Sequence, residues 1–228
     1  MTPLESRTLI LAADTSGKNG SIALAECSQE NCKIIEVVPL AGGTFSAQLV
    51  PQIASLLAKH GHTKANIGAF AVASGPGSFT GMRVGLAAIK ALAEVLQEPI
   101  ATVSLLEVLA CSANVQGRLL AALDAGRNEV YVGEFDVQHS VIRSQGERLI
   151  SREECLQSGS DRTLITPDAA LAQKARALGL RVEEVQTPRS DRIAQIGWRK
   201  IQVGETVSPE ELDANYIRRS DAEIFAKK

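Results

Sequence analysis

The segment Gly75-Pro76-Gly77-Ser78-Phe79-Thr80-Gly81 is the stretch of this chain best suited by residue type to meet a ligand. It follows a short apolar run and opens a helical pattern. At such a junction free backbone N–H groups and the helix dipole suit an anion. The segment is not a P-loop, because Gly81 is followed by Met82-Arg83 and not by Lys-Ser or Lys-Thr. It is not a dinucleotide fingerprint either, since Thr80 stands where a third glycine is needed. Phosphate binding and a purely structural tight turn both remain open on mechanism alone.

Two aspartates are the next candidates. Asp14 and Asp124 each follow an apolar strand pattern and begin a Gly-containing turn, where aspartate commonly bonds its own backbone. As a pair at matching positions they are candidates to flank a nucleotide, with Thr15 and Ser16 beside them and Asp14 holding a hydrated magnesium ion. The histidines are His60, His62 and His139. His60-x-His62 lacks a third ligand of suitable spacing, so no metal site is expected. There is no Gly-x-Ser-x-Gly elbow and no His/Asp set around a nucleophile. No catalytic residue is assigned.

The elements that position these residues follow from periodicity. Thr8–Ala13, Ser21–Ala25 and Lys33–Val38 read as strands, and Phe45–Lys59 as a helix through Leu49, Ile53, Leu56 and Leu57. Gly68–Ser74 reads as an interior strand, Met82–Gln97 as a helix, and Ile100–Val103 as a strand. Ser104 then caps a helix through Cys111. The second half repeats the outline: strands at Arg118–Leu123 and Glu129–Asp136, a helix from the capping-box spacing at Ser151, and a strand at Thr163–Thr166. A helix capped by Asp168, a strand at Arg181–Val185, and helices at Ser190–Val203 and Pro209–Asn215 complete it. Two tandem β-β-β-α-β-α lobes are the outline of the α/β actin/hexokinase/Hsp70-like (ASKHA) fold. Residues 1–103 and 104–228 are the expected lobes, with the last helix free to return to the first.

The helix Met82–Leu96 is apolar nearly all round, so it is covered on more than one side. Gly81, Gly85, Ala88 and Ala91 allow a close neighbour. An interior helix and a subunit interface are the two readings, and the second is favoured because an exposed apolar patch marks a binding site.

Composition narrows the classes. The 228 residues are 45% hydrophobic, 22% charged and 4% aromatic, with net charge −2. This suits a globular core of aliphatic side chains and offers no basic stripe for gripping RNA directly. Arg218-Arg219 reads as a solvated helix end. No 18-residue apolar run and no basic-then-apolar leader at Met1–Arg7 are present, so a cytoplasmic protein without membrane contact is expected. The cysteines are Cys27, Cys32, Cys111 and Cys155. All four are expected reduced, with a Cys27–Cys32 disulfide as the minor alternative.

Asp14-Thr15-Ser16, Ala71 through Gly85, Val103-Ser104-Leu105-Leu106-Glu107, Leu123 through Tyr131 and Tyr216-Ile217-Arg218 together resemble the TsaB (formerly YeaZ) family. These are bacterial accessory proteins of tRNA threonylcarbamoyladenosine (t6A) biosynthesis. The resemblance covers most of the chain in order. It implies two actin-like lobes and a non-catalytic role in supporting a TsaD-like catalytic subunit and a TsaE-like ATPase. It also implies self-association into a homodimer when alone, and tRNA contact only through the complex. The implied partner surface comprises Gly75, Pro76, Gly77, Phe79, Thr80, Gly81, Met82, Arg83, Gly85, Ala88, Ile89, Leu92, Leu105 and Leu109. ATP or ADP with magnesium at or near it is the one candidate cofactor. The metal-binding His-x-x-x-His of the catalytic relative falls on Leu105 and Leu109, which offer no lone pair to a metal. Phe45-Ser46 stands where the family has His-Ser. The alternative is an independent ATP/magnesium-dependent enzyme of the actin/hexokinase class.

Overall fold

A computed structural model describes residues 7–138, 141–158 and 161–218. Met1–Ser6, His139 and Arg219 therefore lie outside the described residues, and with them the leader reading, the third histidine and half of the Arg218-Arg219 pair.

The chain forms two compact units. The first comprises residues 1–104 and 189–215, the second 105–188 and 216–228. In the first unit β1 (Thr8–Asp14), β2 (Gly20–Cys27), β3 (Cys32–Leu40), β4 (Ile67–Gly75) and β5 (Ile100–Ser104) form one sheet in the order β3-β2-β1-β4-β5. β1, β2 and β3 pair antiparallel, while β1–β4 and β4–β5 pair parallel. Helices α1 (Phe45–Lys59) and α2 (Phe79–Leu96) connect the parallel strands. The core beneath them is mainly aliphatic, with Leu9, Leu11, Ile22 and Leu24 meeting Leu49, Ile53, Ile89 and Ala93 beside Phe45 and Phe70.

The opposite sheet face is built differently. Ala23, Ala12, Ala71 and Ala101 are register partners across four consecutive strands and so form one row. Small side chains let a helix come close, and α6 (Ser190–Gln202) packs on these strands. A Cβ on its Gly197 would stand 2.4 Å from the Ala71 Cβ, so only glycine fits there.

The second unit repeats the plan. β6 (Gly117–Gly126), β7 (Glu129–Gln138), β8 (Val141–Ser151), β9 (Thr163–Thr166) and β10 (Arg181–Glu184) form a sheet in the order β10-β9-β6-β7-β8. Arg127 and Asn128 adopt positive φ in the β6–β7 turn, as a two-residue primed hairpin turn requires. Tyr131, Phe135 and Val137 pack on one face, and Val130 and Val132 on the other with α4 (Arg152–Gln157) and α5 (Ala169–Ala177). Helix α3 (Leu105–Ser112) packs on β6 and β7. The helix following each half's last strand thus belongs to the unit built around the other half's sheet. The architecture is the actin/hexokinase/Hsp70-like α/β fold.

Three expectations are corrected. Strand β8 has no counterpart in the sequence reading, because an edge strand carrying Arg143, Glu147 and Arg148 shows little apolar alternation. No helix forms over Pro209–Asn215. After one turn bonding Leu212 N–H to Ser208 O, the chain is drawn out and Asn215 N–H donates to Ser74 O at 2.8 Å. Cys27 and Cys32 are opposed across the β2–β3 register with Cα atoms 4.0 Å apart, and a disulfide joins them.

Candidate partner interface and the loop behind it

β1 ends on Asp14, and the following Thr15-Ser16 segment lies against the glycine loop. Ser78 N–H donates to Ser16 O at 2.6 Å, and Thr15 Oγ1 donates to Gly81 O at 2.7 Å. The Ser78 hydroxyl caps α2 by accepting from Gly81 N–H. Three glycines face this segment. A Cβ on Gly77 would stand 2.4 Å from Ser16 O, one on Gly81 2.1 Å from Thr15 O, and one on Gly85 2.4 Å from Thr15 Oγ1. Gly75 has φ +117°, and its Cβ would reach the Met82 sulfur. Gly77 in the loop and Gly81 and Gly85 on α2 therefore form a groove that receives residues of the same unit. The N–H groups of Ser78, Gly81 and Met82 all bond within the chain, which disfavours the phosphate-cradle reading.

The candidate magnesium ligand is also engaged. Asp14 is 5% exposed, and its Oδ1 accepts from the Ser16 amide at 2.9 Å and the Ser16 hydroxyl at 2.5 Å. Burial pushes its carboxyl above the usual carboxylate range despite those bonds. In the second unit, Asp124 accepts from Arg152 at 2.8 Å and from Gly126 N–H, and the Arg152 guanidinium holds its carboxyl below the usual range. Arg152 also pairs with Asp168, the N-cap of α5. Oδ1 of Asp14 is thus engaged inside the first unit, and Asp124 is ion-paired inside the second.

The residues expected at the partner surface separate by exposure. Gly75, Pro76, Gly81, Met82, Gly85 and Ile89 are buried in the first unit, and Leu105 and Leu109 are buried in the second. They shape the helices from inside and present no surface. Thr80 and Arg83 are exposed, with the Arg83 guanidinium 3.8 Å above the Phe79 ring centroid. Gly77, Phe79, Ala88 and Leu92 are half-buried.

Further residues, absent from that set, complete the outer face. On α2 these are Ala87, Ala91 and Val95, spaced by four and exposed. On α1, which packs against α2, they are Ala47, Val50, Pro51, Ala54 and Ala58. Val50 and Val95 are 56% and 68% exposed. Arg83, Lys90 and Glu94 are also exposed on α2, while on α1 the one exposed charge is Lys59 at its end. The signal was present as the complement of the buried spacing Leu49, Ile53, Leu56, Leu57: what remains on α1 is mostly small and uncharged.

Leu109 packs with Leu106, Leu119, Tyr131 and Ile165 in an apolar cluster. His60 pairs with Glu36 at 2.7 Å. Among the described residues no three His, Cys, Asp or Glu side chains cluster to hold a metal. Arg218 is no helix end: it donates to Ala125 O at 2.9 Å and pairs with Glu129.

Comparison with known proteins agrees with this architecture. The protein-family profile described as TsaD, tRNA N6-adenosine threonylcarbamoyltransferase, matches residues 37–202. The TsaB protein of Escherichia coli, named a tRNA threonylcarbamoyladenosine biosynthesis protein, is 31% identical over 228 residues, covering 93% of this chain and 96% of its own. The Bacillus subtilis protein of the same name is 34% identical over 134 residues, and the match spans 57% of that relative's length. A Pseudomonas aeruginosa crystal structure, described as an uncharacterized protein with similarity to peptidase YeaZ, superposes with a TM-score of 0.74 at 26% identity, covering 92% of this chain and all of that one. No helix among the described residues is long and apolar enough to cross a membrane. Within the wider family that the TsaD profile describes, the chain belongs to the TsaB (YeaZ) family.

Proposed function

We propose that this chain is a non-catalytic scaffold subunit of the bacterial t6A tRNA-modification machinery. Family membership puts it in t6A biosynthesis. The finer reading is that the outer face of α1 and α2 docks a TsaD-like catalytic subunit, and that the assembly also takes up a TsaE-like ATPase. In the absence of the catalytic partner the same face pairs two copies of the chain. Transfer RNA is reached only through the complex, in the cytoplasm.

One observation carries the reading. Two adjacent helices expose Ala47, Val50, Pro51, Ala54, Ala87, Ala91 and Val95, with the exposed charges Arg83, Lys90 and Glu94 on α2 and Lys59 at the end of α1. Small exposed side chains let a partner backbone approach closely, and exposed apolar side chains grouped in this way mark a recognition surface. The engaged Asp14, the ion-paired Asp124 and the buried Leu105 and Leu109 support a binding role over a chemical one.

Reconstitution tests it. The catalytic subunit, the ATPase, threonylcarbamoyl-adenylate and tRNA should lose product when this chain is omitted. Ala91→Arg with Val95→Asp should abolish co-purification with the catalytic subunit while leaving the isolated chain folded, since exposed substitutions usually change stability by no more than about 0.5 kcal/mol. Equal product without the chain, or undiminished co-purification of the double variant, refutes the proposal.

A further inference from the structure

A second, polar feature lies on the α6 side of the first unit. Arg192, Gln195, Arg199 and Gln202 recur at spacings of three and four along α6, with Trp198 beside them. The opposite side of the helix buries Ile193, Ala194, Ile196 and Gly197. These residues form one wall of a cavity of about 400 Å³, and the β2–β3 turn, residues 29–32, forms the other.

The turn is fixed before any ligand arrives. Trp198 Nε1 donates to Ser28 O at 2.6 Å, Gln202 Nε2 to Gln29 O at 2.9 Å, and Ser28 N–H to Asn31 O at 2.7 Å. The Cys27–Cys32 disulfide closes its base. A wall held in this way costs little to order on binding. The indole donor is committed to the turn, so the ring itself is the part of Trp198 left to line the cavity. Arg192 donates to Gln195 Oε1 at 3.1 Å, which sets the guanidinium beside an amide. Against the two guanidiniums the lining carries one carboxylate, Glu30, for a net positive charge.

Two guanidinium forks match a phosphate, amides match the edge of a heterocyclic base, and an indole ring matches its face. We propose that this cavity binds a nucleoside monophosphate, with the phosphate between Arg192 and Arg199 and the base against Trp198. The inference concerns a face of the protein separate from α1 and α2 and does not depend on the docking proposal.

Trp198 is the sole tryptophan of the chain, so its fluorescence reports on this cavity alone. Titration of the purified protein with AMP, GMP, CMP and UMP should give saturable quenching with at least one of them. Adenosine and inorganic phosphate, each supplying half the chemistry, should bind about tenfold or more weakly, the loss of one good charge-assisted contact. Arg192→Gln with Arg199→Gln should lose the response by at least a similar factor at unchanged circular dichroism and melting temperature. Calorimetry on Trp198→Phe keeps the test open should the indole be a poor reporter. Three results overturn the proposal: no nucleotide binding by either method, inorganic phosphate binding as tightly as the nucleotides, or full affinity in the folded double arginine variant.

Discussion

Replacing Gly85 by alanine separates an internal groove on α2 from a partner-facing one. Alanine is preferred over glycine inside a helix by about 1 kcal/mol, so the change would stabilise an unobstructed helix. Here the new Cβ would stand 2.4 Å from Thr15 Oγ1. Relief requires moving Thr15 away from Gly81 O, to which its hydroxyl donates at 2.7 Å. Overpacking costs about 1–3 kcal/mol, and the lost hydrogen bond about 1 kcal/mol. The propensity gain offsets part of this, leaving a net loss of about 1–3 kcal/mol. In a Thr15→Ala background the obstruction is gone, because the nearest remaining atom, the Thr15 Cβ, lies at 3.5 Å. There Gly85→Ala should be neutral or stabilising by up to about 1 kcal/mol. Urea unfolding of the four proteins, followed by circular dichroism, gives the cycle directly. The reasoning fails if Gly85→Ala stabilises the wild-type chain, or if it costs the same in both backgrounds.

The disulfide makes a second prediction. Closing a loop of sequence separation 5 restricts the unfolded chain enough to contribute about 2 kcal/mol, so Cys32→Ser should lower the urea midpoint accordingly. Denatured, unreduced protein should titrate two thiols, Cys111 and Cys155, rising to the four cysteines of the sequence after reduction. Four thiols before reduction would overturn the pairing. In the native protein Cys155 should react slowly, since burial pushes its thiol up to about 11. For Arg152, the sign follows from Asp124, whose carboxyl is held below its ordinary 3.8 in the folded state. That contribution is present above the ordinary value and is lost as pH falls through the lower folded one. The stability gap between wild type and Arg152→Ala should therefore narrow in acid. With Asp124 half exposed, its part is at most about 1 kcal/mol. A gap that widens below pH 3.8 contradicts the pairing.

Local pattern carried much of the fold. Helix α1 starts and stops at Phe45 and Lys59 as its apolar spacing requires, and β9 spans Thr163–Thr166 as read. Both are cases where the residues themselves decide the outcome. Strand β8 escaped because it is an edge: Glu134 and Arg148 pair across it in place of apolar side chains. The segment at Pro209–Asn215 has helical composition, but the bond from Asn215 to Ser74 is formed with a strand more than a hundred residues earlier, which no window sees. The candidate site shows the same division. That α2 had a special face was legible from its small residues. Which small residues faced inward was not, because the decision rests with Thr15, a residue distant in sequence that meets Gly85 only in the folded unit. The outer residues Ala87, Ala91 and Val95 then follow by subtraction.

The trading of α3 and α6 between the two units has a consequence for how the chain can be taken apart. Cutting at the junction between Ser104 and Leu105 yields neither a finished module nor a simple half. The amino-terminal piece keeps α1 and α2 on one sheet face but leaves the alanine row bare, and the carboxy-terminal piece strands α6 with nothing to lie on. Each fragment made alone should be sticky and poorly folded, and the two made together should rescue one another. The tandem halves read along the chain are thus not the units of folding, which are woven from both.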